Sequence, residues 1–251
     1  MKTTISSITV CLNNKQGVFK TLKSLYKQKS IDYEVIVIDG GSIDGTIEVL
    51  NKFKILFEKK GVPFKYISES DSGIYNAMNK GITLASGQWM IFMNSGDFYA
   101  SNDIFEKIVP ICQAEYDIIY GDWMRLGKNG KPTYQKAKPL RSFMTTIPTR
   151  HQSFFIRSSL LKKRGYDEKY RICADYDWLL KAYLHQKKFF YVPIAICIFD
   201  MYGISHKQIY KTYCETKRIE VLNGVCKDSK AVLFVKKMIW FCISRIKAIL
   251  C

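Results

Sequence analysis

The alternation of short apolar runs with helix-periodic stretches over residues 5–97 constrains this chain more than any other feature. The runs are residues 5–12 (ISSITVCL), 33–39 (YEVIVID), 64–68 (FKYIS) and 88–94 (QWMIFMN). Three are near-continuous apolar or β-branched sequences, the pattern of strands covered on both faces. Between them, Val18, Leu22, Leu25 and Tyr26 recur at helical spacing, and Thr46–Lys60 reads as a helix with Ile47, Leu50 and Phe57 inward. Ile74, Ala77, Met78, Gly81, Ile82 and Ala85 follow the spacing of one helix face. This βαβαβαβ order predicts an α/β fold with a mostly parallel, Rossmann-like sheet flanked by helices and joined by right-handed crossovers. The second half is more mixed. Asp117–Tyr120 and His151–Arg157 are strand candidates, Lys128–Lys131 is a hairpin turn, and Asp175–His185 is helical. Residues 1–205 read as one domain, and 206–251 as a helical, basic tail.

Charge and cysteine content limit the function classes. Lys and Arg total 39 against 22 acidic residues, a net charge of +17, which points to anionic partners. The basic residues are spread along the chain rather than interleaved with aromatics on one face, so a nucleic-acid partner is not expected. None of the eight cysteines forms a CxxC pair, which argues against a zinc ribbon. Met1–Ile8 is mostly polar and leads straight into a strand, so no signal peptide is expected, and the cysteines read as reduced and cytosolic. No segment offers eighteen uncharged apolar residues, so no spanning helix is expected.

In open α/β sheets, ligands bind beyond the carboxyl ends of the strands. Asp39 ends the second strand, and Asn94-Ser95-Gly96-Asp97 ends the fourth. A parallel sheet puts both on one rim. GxGxxG after the first strand, GxxxxGK[ST] and GxSxG are all missing, which removes the dinucleotide, P-loop and α/β-hydrolase readings.

Five segments in order then resemble one family. Asp39-Gly40-Gly41-Ser42-Ile43-Asp44-Gly45-Thr46 resembles the D-x-x-S-x-D-x-[ST] signature of family 2 glycosyltransferases, which have the GT-A fold. Ser70–Gly81, Ser86-Gly87 with Met90–Asp97, His151–Phe155, and Ala174-Asp175-Tyr176-Asp177 resemble the later blocks of that family. The resemblance runs over roughly residues 4–185. It implies a nucleotide-sugar half at about 1–100 and an acceptor half at about 101–205. It also implies a donor, expected to be a UDP-hexose, bound by Thr9, Asn13, Asp39, Asp71, Asn79, Asn94 and Ser95, with Asp39 on the nucleoside.

A diphosphate leaving group needs charge neutralisation, which a divalent cation (Mn or Mg) supplies without a proton. Asp97 is the expected metal ligand. The family often has D-x-D here, whereas this chain keeps only the last acid, with Asn94 able to supply an amide oxygen or a water-mediated contact. Inverting transfer needs a base for the acceptor hydroxyl, and the resemblance places it at Asp175, where Ala174 replaces the family's more usual Glu. Asp175 and Asp177 are two apart and cannot share a helix face; Asp177, His151 and Gln152 are assigned to the acceptor side. His151 also suits a structural hydrogen bond, Asp44 suits a helix cap better than a ligand, and Trp89, Trp123 and Trp178 suit the core.

The tail reads VLFVKKMIWFCISRIKAIL over 232–250. Lys230, Lys236, Lys237, Ser244 and Lys247 fall within roughly one third of a helix circumference, Arg245 falls outside, and the rest is apolar. Such a helix suits an anionic membrane interface. The expected whole is an inverting, metal-dependent transferase, cytoplasmic and peripheral on the inner face of the cell membrane. Its acceptor would be a lipid-linked saccharide in bacterial surface polysaccharide assembly. The rival readings are a non-catalytic sugar-nucleotide binder, suggested by the missing acids, and a nucleic-acid binder, suggested by the charge.

Overall fold

The computed structural model describes residues 4–127, 130–199 and 208–250, the side chains of 230, 231, 242 and 244–250 excepted. The first part follows the expected alternation: β1 (Ile5–Cys11), α1 (Lys15–Tyr26), β2 (Tyr33–Asp39), α2 (Thr46–Lys59), β3 (Phe64–Ser68), α3 (Ile74–Leu84) and β4 (Trp89–Phe92). Then come β5 (Phe98–Tyr99), α4 (Ile104–Ile108), β6 (Ile118–Leu126), β7 (Pro132–Gln135), β8 (Phe154–Arg157), α5 (Ser158–Arg164), α6 (Ala174–Leu184) and β9 (Phe189–Phe199). Two further helices, α7 (Ile209–Leu222) and α8 (Lys230–Leu250), close the chain.

The nine described strands form one sheet in the order β3-β2-β1-β4-β8-β6-β9-β5, with β7 paired to β6. The α/β class and flanking helices are as expected, but the parallel character is confined. The β3-β2-β1-β4 block and the β6–β9 pair are parallel. The β4–β8, β6–β8, β6–β7 and β5–β9 pairs are antiparallel. The β6–β7 hairpin is present, although Lys128 and Asn129 of its turn lie outside the described residues. His151–Ser153 forms a 3₁₀ turn rather than the start of β8.

The continuous apolar runs are explained by burial on both faces. Along β1, β2 and β4, Ile8, Val10, Ile36, Ile38, Met90 and Phe92 share a core with α3 and α6. The alternate residues Ile5, Cys11, Val35, Val37, Ile91 and Met93 pack in a second core with α1 and α2. Trp89 and Trp178 are core residues, as expected. α1 starts at Asn14, whose Oδ1 accepts from Gly17 N at 3.1 Å. A Cβ on Gly17 would lie 2.2 Å from the Asn14 amide nitrogen, so any larger residue there would have to displace the capping side chain.

Helix α7 is not a detached tail. Ile219 is wholly buried in the first core, and Val225 just after the helix joins it. α8 leans on α7 through Tyr210–Phe241 and Tyr213–Trp240 ring contacts. Among the described residues, no helix is long and apolar enough to cross a membrane.

Candidate active site

Strand register builds the rim. Cys11 lies opposite Asp39, and Asp39 opposite Ser68, so three adjacent parallel strands end side by side. Asp39 is wholly buried. Its Oδ2 accepts from Ser42 N (2.8 Å), Gly41 N (3.2 Å) and Ser68 Oγ (2.6 Å); its Oδ1 accepts from Ser42 Oγ and from Cys11 Sγ (3.4 Å). Burial opposes the charge, but the donors from Ser42, Ser68 and Cys11 together outweigh it and hold the carboxyl below its usual range. Burial, then the Asp39 charge, push the Cys11 thiol far up, so it stays a donor.

The loop after β2 is fixed from outside as well. Asn13, in the left-handed region at φ 46, donates its N–H to Ser42 Oγ (2.7 Å) and accepts from Ile43 N (2.9 Å). Asp44 accepts from Thr46 N (3.1 Å) and Lys15 N (2.9 Å), tying the starts of α2 and α1 together, although Gly45 rather than Asp44 holds the N-cap position expected for it. Asp71 accepts from Gly73 N (2.8 Å) and packs on Gly40, where a Cβ would meet its Oδ2 at 2.7 Å. Asn13, Asp39 and Asp71 therefore gather around one loop.

The turn after β4 meets β8 because β8 runs antiparallel to β4, which brings residues before β8 to the rim where β4 ends. There Gln152 Nε2 donates to Asp97 Oδ2 at 2.6 Å, with both residues buried. Thr21 Oγ donates to the Asp97 carbonyl (2.6 Å), and Asn14 Nδ2 donates to Ser95 Oγ (3.1 Å). The Arg150 guanidinium stacks on Trp123 (4.2 Å) and Phe199 (4.5 Å) and is close enough to Asp97 for their charges to interact.

Among the described residues, no group of three or more His, Cys, Asp or Glu side chains could hold a metal ion. The turn nevertheless fits a hard divalent ion that draws most ligands from phosphate and water. Asp97 offers a carboxylate, and Asn94 Oδ1 is a buried acceptor with no hydrogen-bond partner among the described residues.

On the other side of the same turn, His151 is buried, stacks on Phe92 (5.1 Å) and shares a 2.8 Å hydrogen bond with Tyr166 Oη. Burial lowers its pKa, and the nearby Asp175 charge partly opposes that. Asp175, in the first turn of α6, is half-buried. The Tyr75 hydroxyl lies 2.8 Å from Asp175 Oδ1 and 2.7 Å from the Ile172 carbonyl, sharing its proton between them. Burial, then the Asp175 charge, push that phenol well above its ordinary value, so Tyr75 remains a donor.

Two expected residues find other partners, and a third lies off the rim. Asp177 is buried, pairs with Arg164 (3.3 Å) and Lys181 (2.7 Å), and lies near Asn223 Nδ2 (3.5 Å), so it ties α5, α6 and the end of α7 rather than facing an acceptor. Asn79 donates to Tyr166 O (2.9 Å) and Glu168 Oε1 (2.9 Å) and accepts from Tyr166 N (2.8 Å); its amide clamps the 166–168 loop onto α3. Thr9 is wholly buried within β1, two residues short of the rim, on the sheet face it shares with Ile5 and Cys11.

A family model described as glycosyl transferase family 2 matches residues 6–187. The chain belongs to glycosyl transferase family 2. It is 31% identical, over 86% of its length and 82% of the relative's, to an uncharacterized glycosyltransferase of Mycobacterium tuberculosis. It is 28% identical, over 64% of its length, to a PGL/p-HBAD biosynthesis glycosyltransferase of Mycobacterium bovis, and that match spans 62% of the relative's length. The fold resembles S. aureus TarS 1–349 in complex with UDP-GlcNAc (TM-score 0.67, 19% identity, 92% of this chain and 69% of that one). It also resembles a Pyrobaculum calidifontis mannosyltransferase in complex with GDP-Man and Mn²⁺ (TM-score 0.67, 13% identity, 93% and 68%).

In this family 2 chain the sequence reading missed Asn14, Tyr75, Arg150 and Tyr166. Tyr75 lies on the apolar stripe of α3, where it reads as core; only its hydroxyl, which needs a partner when buried, hinted otherwise. Arg150 adjoins the His151 block and carries no periodic signal. The six cysteines whose side chains are described, including Cys11, are free thiols.

Proposed function

We propose that this protein transfers a sugar, with inversion, from a nucleotide-sugar to a hydroxyl of a saccharide acceptor in cell-surface glycan synthesis. One observation carries the reading. The single turn His151–Ser153 reaches Asp97 through Gln152 and the surroundings of Asp175 through His151, so a donor-side acid and a candidate base flank one short turn.

The residues divide the work as follows. Asp39, saturated by its own donors, shapes the loop that receives the nucleoside, and Asn13 and Asp71 hold that loop. Asn94, Ser95 and Asp97 face the diphosphate. Asp175 takes the acceptor hydroxyl proton as that oxygen bonds to the anomeric carbon. The bond from the anomeric carbon to the diphosphate oxygen breaks, and the nucleoside diphosphate leaves with its electron pair. Tyr75 orients the Asp175 carboxylate, and His151, kept neutral, adds no competing charge. A bound Mn or Mg ion, held by Asp97 and the Asn94 amide oxygen, would neutralise charge on the leaving group.

The donor we favour is a UDP-hexose, in keeping with the S. aureus TarS complex with UDP-GlcNAc. The acceptor we favour is lipid-linked, at the inner face of a bacterial cell membrane. The support is α8, which exposes Val232, Phe234, Val235, Met238 and Ile239. Of the residues expected to form its polar stripe, Lys236 is paired with Asp228 (2.8 Å), while the side chains at Lys230, Ser244 and Lys247 lie outside the described residues.

The test is thermal unfolding with UDP, UDP-hexoses and GDP-mannose, each with and without Mn²⁺. A ligand that binds only the native state raises the midpoint. A UDP-sugar is expected to stabilise the protein, and more so with Mn²⁺. If no nucleotide or nucleotide-sugar moves the midpoint at millimolar concentration, the donor reading fails.

A further inference from the structure

We infer that Glu215, on α7 and beyond the residues matched by the family model, is a positioning residue for the base. The inference rests on reading Asp175 as that base. Glu215 Oε1 accepts from Arg171 N at 2.9 Å, and Oε2 accepts from Ile172 N at 2.9 Å and Cys173 N at 3.0 Å. Three consecutive backbone N–H groups thus converge on one carboxylate from a different part of the chain. They belong to the irregular segment that enters α6, and Asp175 stands in the first turn of that helix. A concave run of backbone N–H groups is an anion site; here the anion is a side chain of the protein itself.

The same segment is gripped from the opposite side by α3. The Tyr75 hydroxyl bonds the Ile172 carbonyl (2.7 Å) and Asp175 Oδ1 (2.8 Å), and Arg171 Nη1 donates to the Ser72 carbonyl. Residues 171–173 are therefore clamped between α3 and α7. Tyr75 makes the clamp and the base one unit, because a shift of Ile172 disturbs the phenol that orients Asp175.

The spacing on α7 is built for this contact. Thr212, Glu215, Thr216 and Ile219 follow i, i+3, i+4, i+7, one helix face. Cys173 Sγ lies 3.7 Å from the Thr212 carbonyl and 3.6 Å from Thr216 Oγ, and Ile219 is wholly buried. Tyr210 and Tyr213 carry α8 through their ring contacts. A carboxylate is required in the middle of the body-facing stripe because two oxygens must satisfy three donors; glutamine would turn an N–H₂ group toward backbone N–H groups.

A misplacement of about 1 Å can cost about 100-fold in rate. The full-length chain is tested with kinetics expressed per UDP-binding site, so that misfolded molecules are not counted. Glu215→Ala should lower the kcat of transfer about 10- to 100-fold, while UDP affinity and donor KM stay within about twofold. Glu215→Gln, which keeps one acceptor oxygen, should lose less, and it carries the test if the alanine variant does not fold. Combined with Asp175→Asn, Glu215→Ala should cost almost nothing more, because a positioning effect vanishes with the group positioned. The inference is overturned if Glu215→Ala keeps the wild-type kcat, if UDP affinity falls in step with kcat, or if the two substitutions multiply. If Asp175→Asn alone leaves transfer intact, the base assignment has failed instead, and the two failures are told apart by that variant.

Discussion

Asp175 and Asp177 sit two residues apart on α6, and the structure treats them in opposite ways. Asp177 is enclosed and paired with Arg164 and Lys181; Asp175 is half-exposed, with a phenol on one oxygen. The contrast recurs at the strand-end rim, where Asp39 is closed off by donors from Ser42, Gly41, Ser68 and Cys11. An acid surrounded by donors organises backbone; an acid left open can exchange a proton. Burial alone therefore does not mark the reactive acid, and hydrogen-bond saturation separates the two kinds better.

The sharpest way to break this comparison is to neutralise each α6 acid in turn. Asp175→Asn should lower transfer by about 10²- to 10⁴-fold, the usual worth of a positioned base, with UDP affinity unchanged. Asp177→Asn should leave kcat per UDP-binding site near the wild-type value and lower stability instead. Its cationic partners can turn toward solvent, so the loss should be about 1–3 kcal/mol. Transfer kinetics beside urea unfolding would read both effects. An inactive but fully stable Asp177→Asn would reverse the assignment.

Asp39→Ala tests the enclosed acid of the donor rim. It strands Ser42 N, Gly41 N and two hydroxyls, so we expect about 3 kcal/mol of destabilisation, roughly 6–12 °C in melting midpoint for a chain of this size. UDP should bind more weakly, because the loop that receives it loses its organiser. A variant with native stability and weaker UDP binding would mean instead that Asp39 meets the ligand directly.

The two halves of the fold were unequally legible in the sequence. The β1–β4 block was readable because parallel strands covered on both faces leave continuous runs such as YEVIVID, and Asp39 and Asp97 could be placed at strand ends from that alone. The antiparallel turn of the sheet at β8 was not readable, because Phe154–Arg157 carries no mark of its direction. That direction is what joins Gln152 to Asp97. Asn79 and Asp177 fell in family-like blocks, but their partners, the 166–168 loop and Arg164, are distant in sequence, and polar residues show their loyalties only through such partners. Glu215 gave no signal, since one acid on an amphipathic helix reads as a solvated face.

The two C-terminal helices repeat the contrast between closed and open surfaces at lower energy. α7 buries Ile219, while α8 leaves Phe234 66% and Ile239 52% exposed. If that face enters a membrane interface, full-length protein should float with anionic vesicles at low salt and detach partly at high salt, since screening removes only the electrostatic share. Phe234→Ser with Ile239→Ser should weaken vesicle binding by about 100-fold or more, given about 1.5–3 kcal/mol for each fully buried side chain, and leave UDP affinity intact. Indifference of the wild type to anionic vesicles at low salt would end the membrane reading.

Acid should tell His151, beside the base, from Asp39 on the donor rim. Burial lowers the pKa of His151 below its ordinary 6.5, with the Asp175 charge opposing. The unfolded chain then binds a proton more readily than the native state, so stability rises with pH in this window. The His151 contribution is complete above about pH 6.5 and is lost as pH falls from there toward the lowered value. Asp39 behaves differently: burial opposes its charge, but its hydrogen-bond donors together hold the carboxyl low. Its contribution is complete above the ordinary carboxyl value of 3.8 and disappears only as pH falls below it. Acid should therefore loosen the base side first. The melting midpoint of the wild type should fall between pH 7.5 and 5.5, and that of His151→Gln should fall less. Equal slopes in the two proteins would show that His151 takes its proton as easily in the native state as in the unfolded chain.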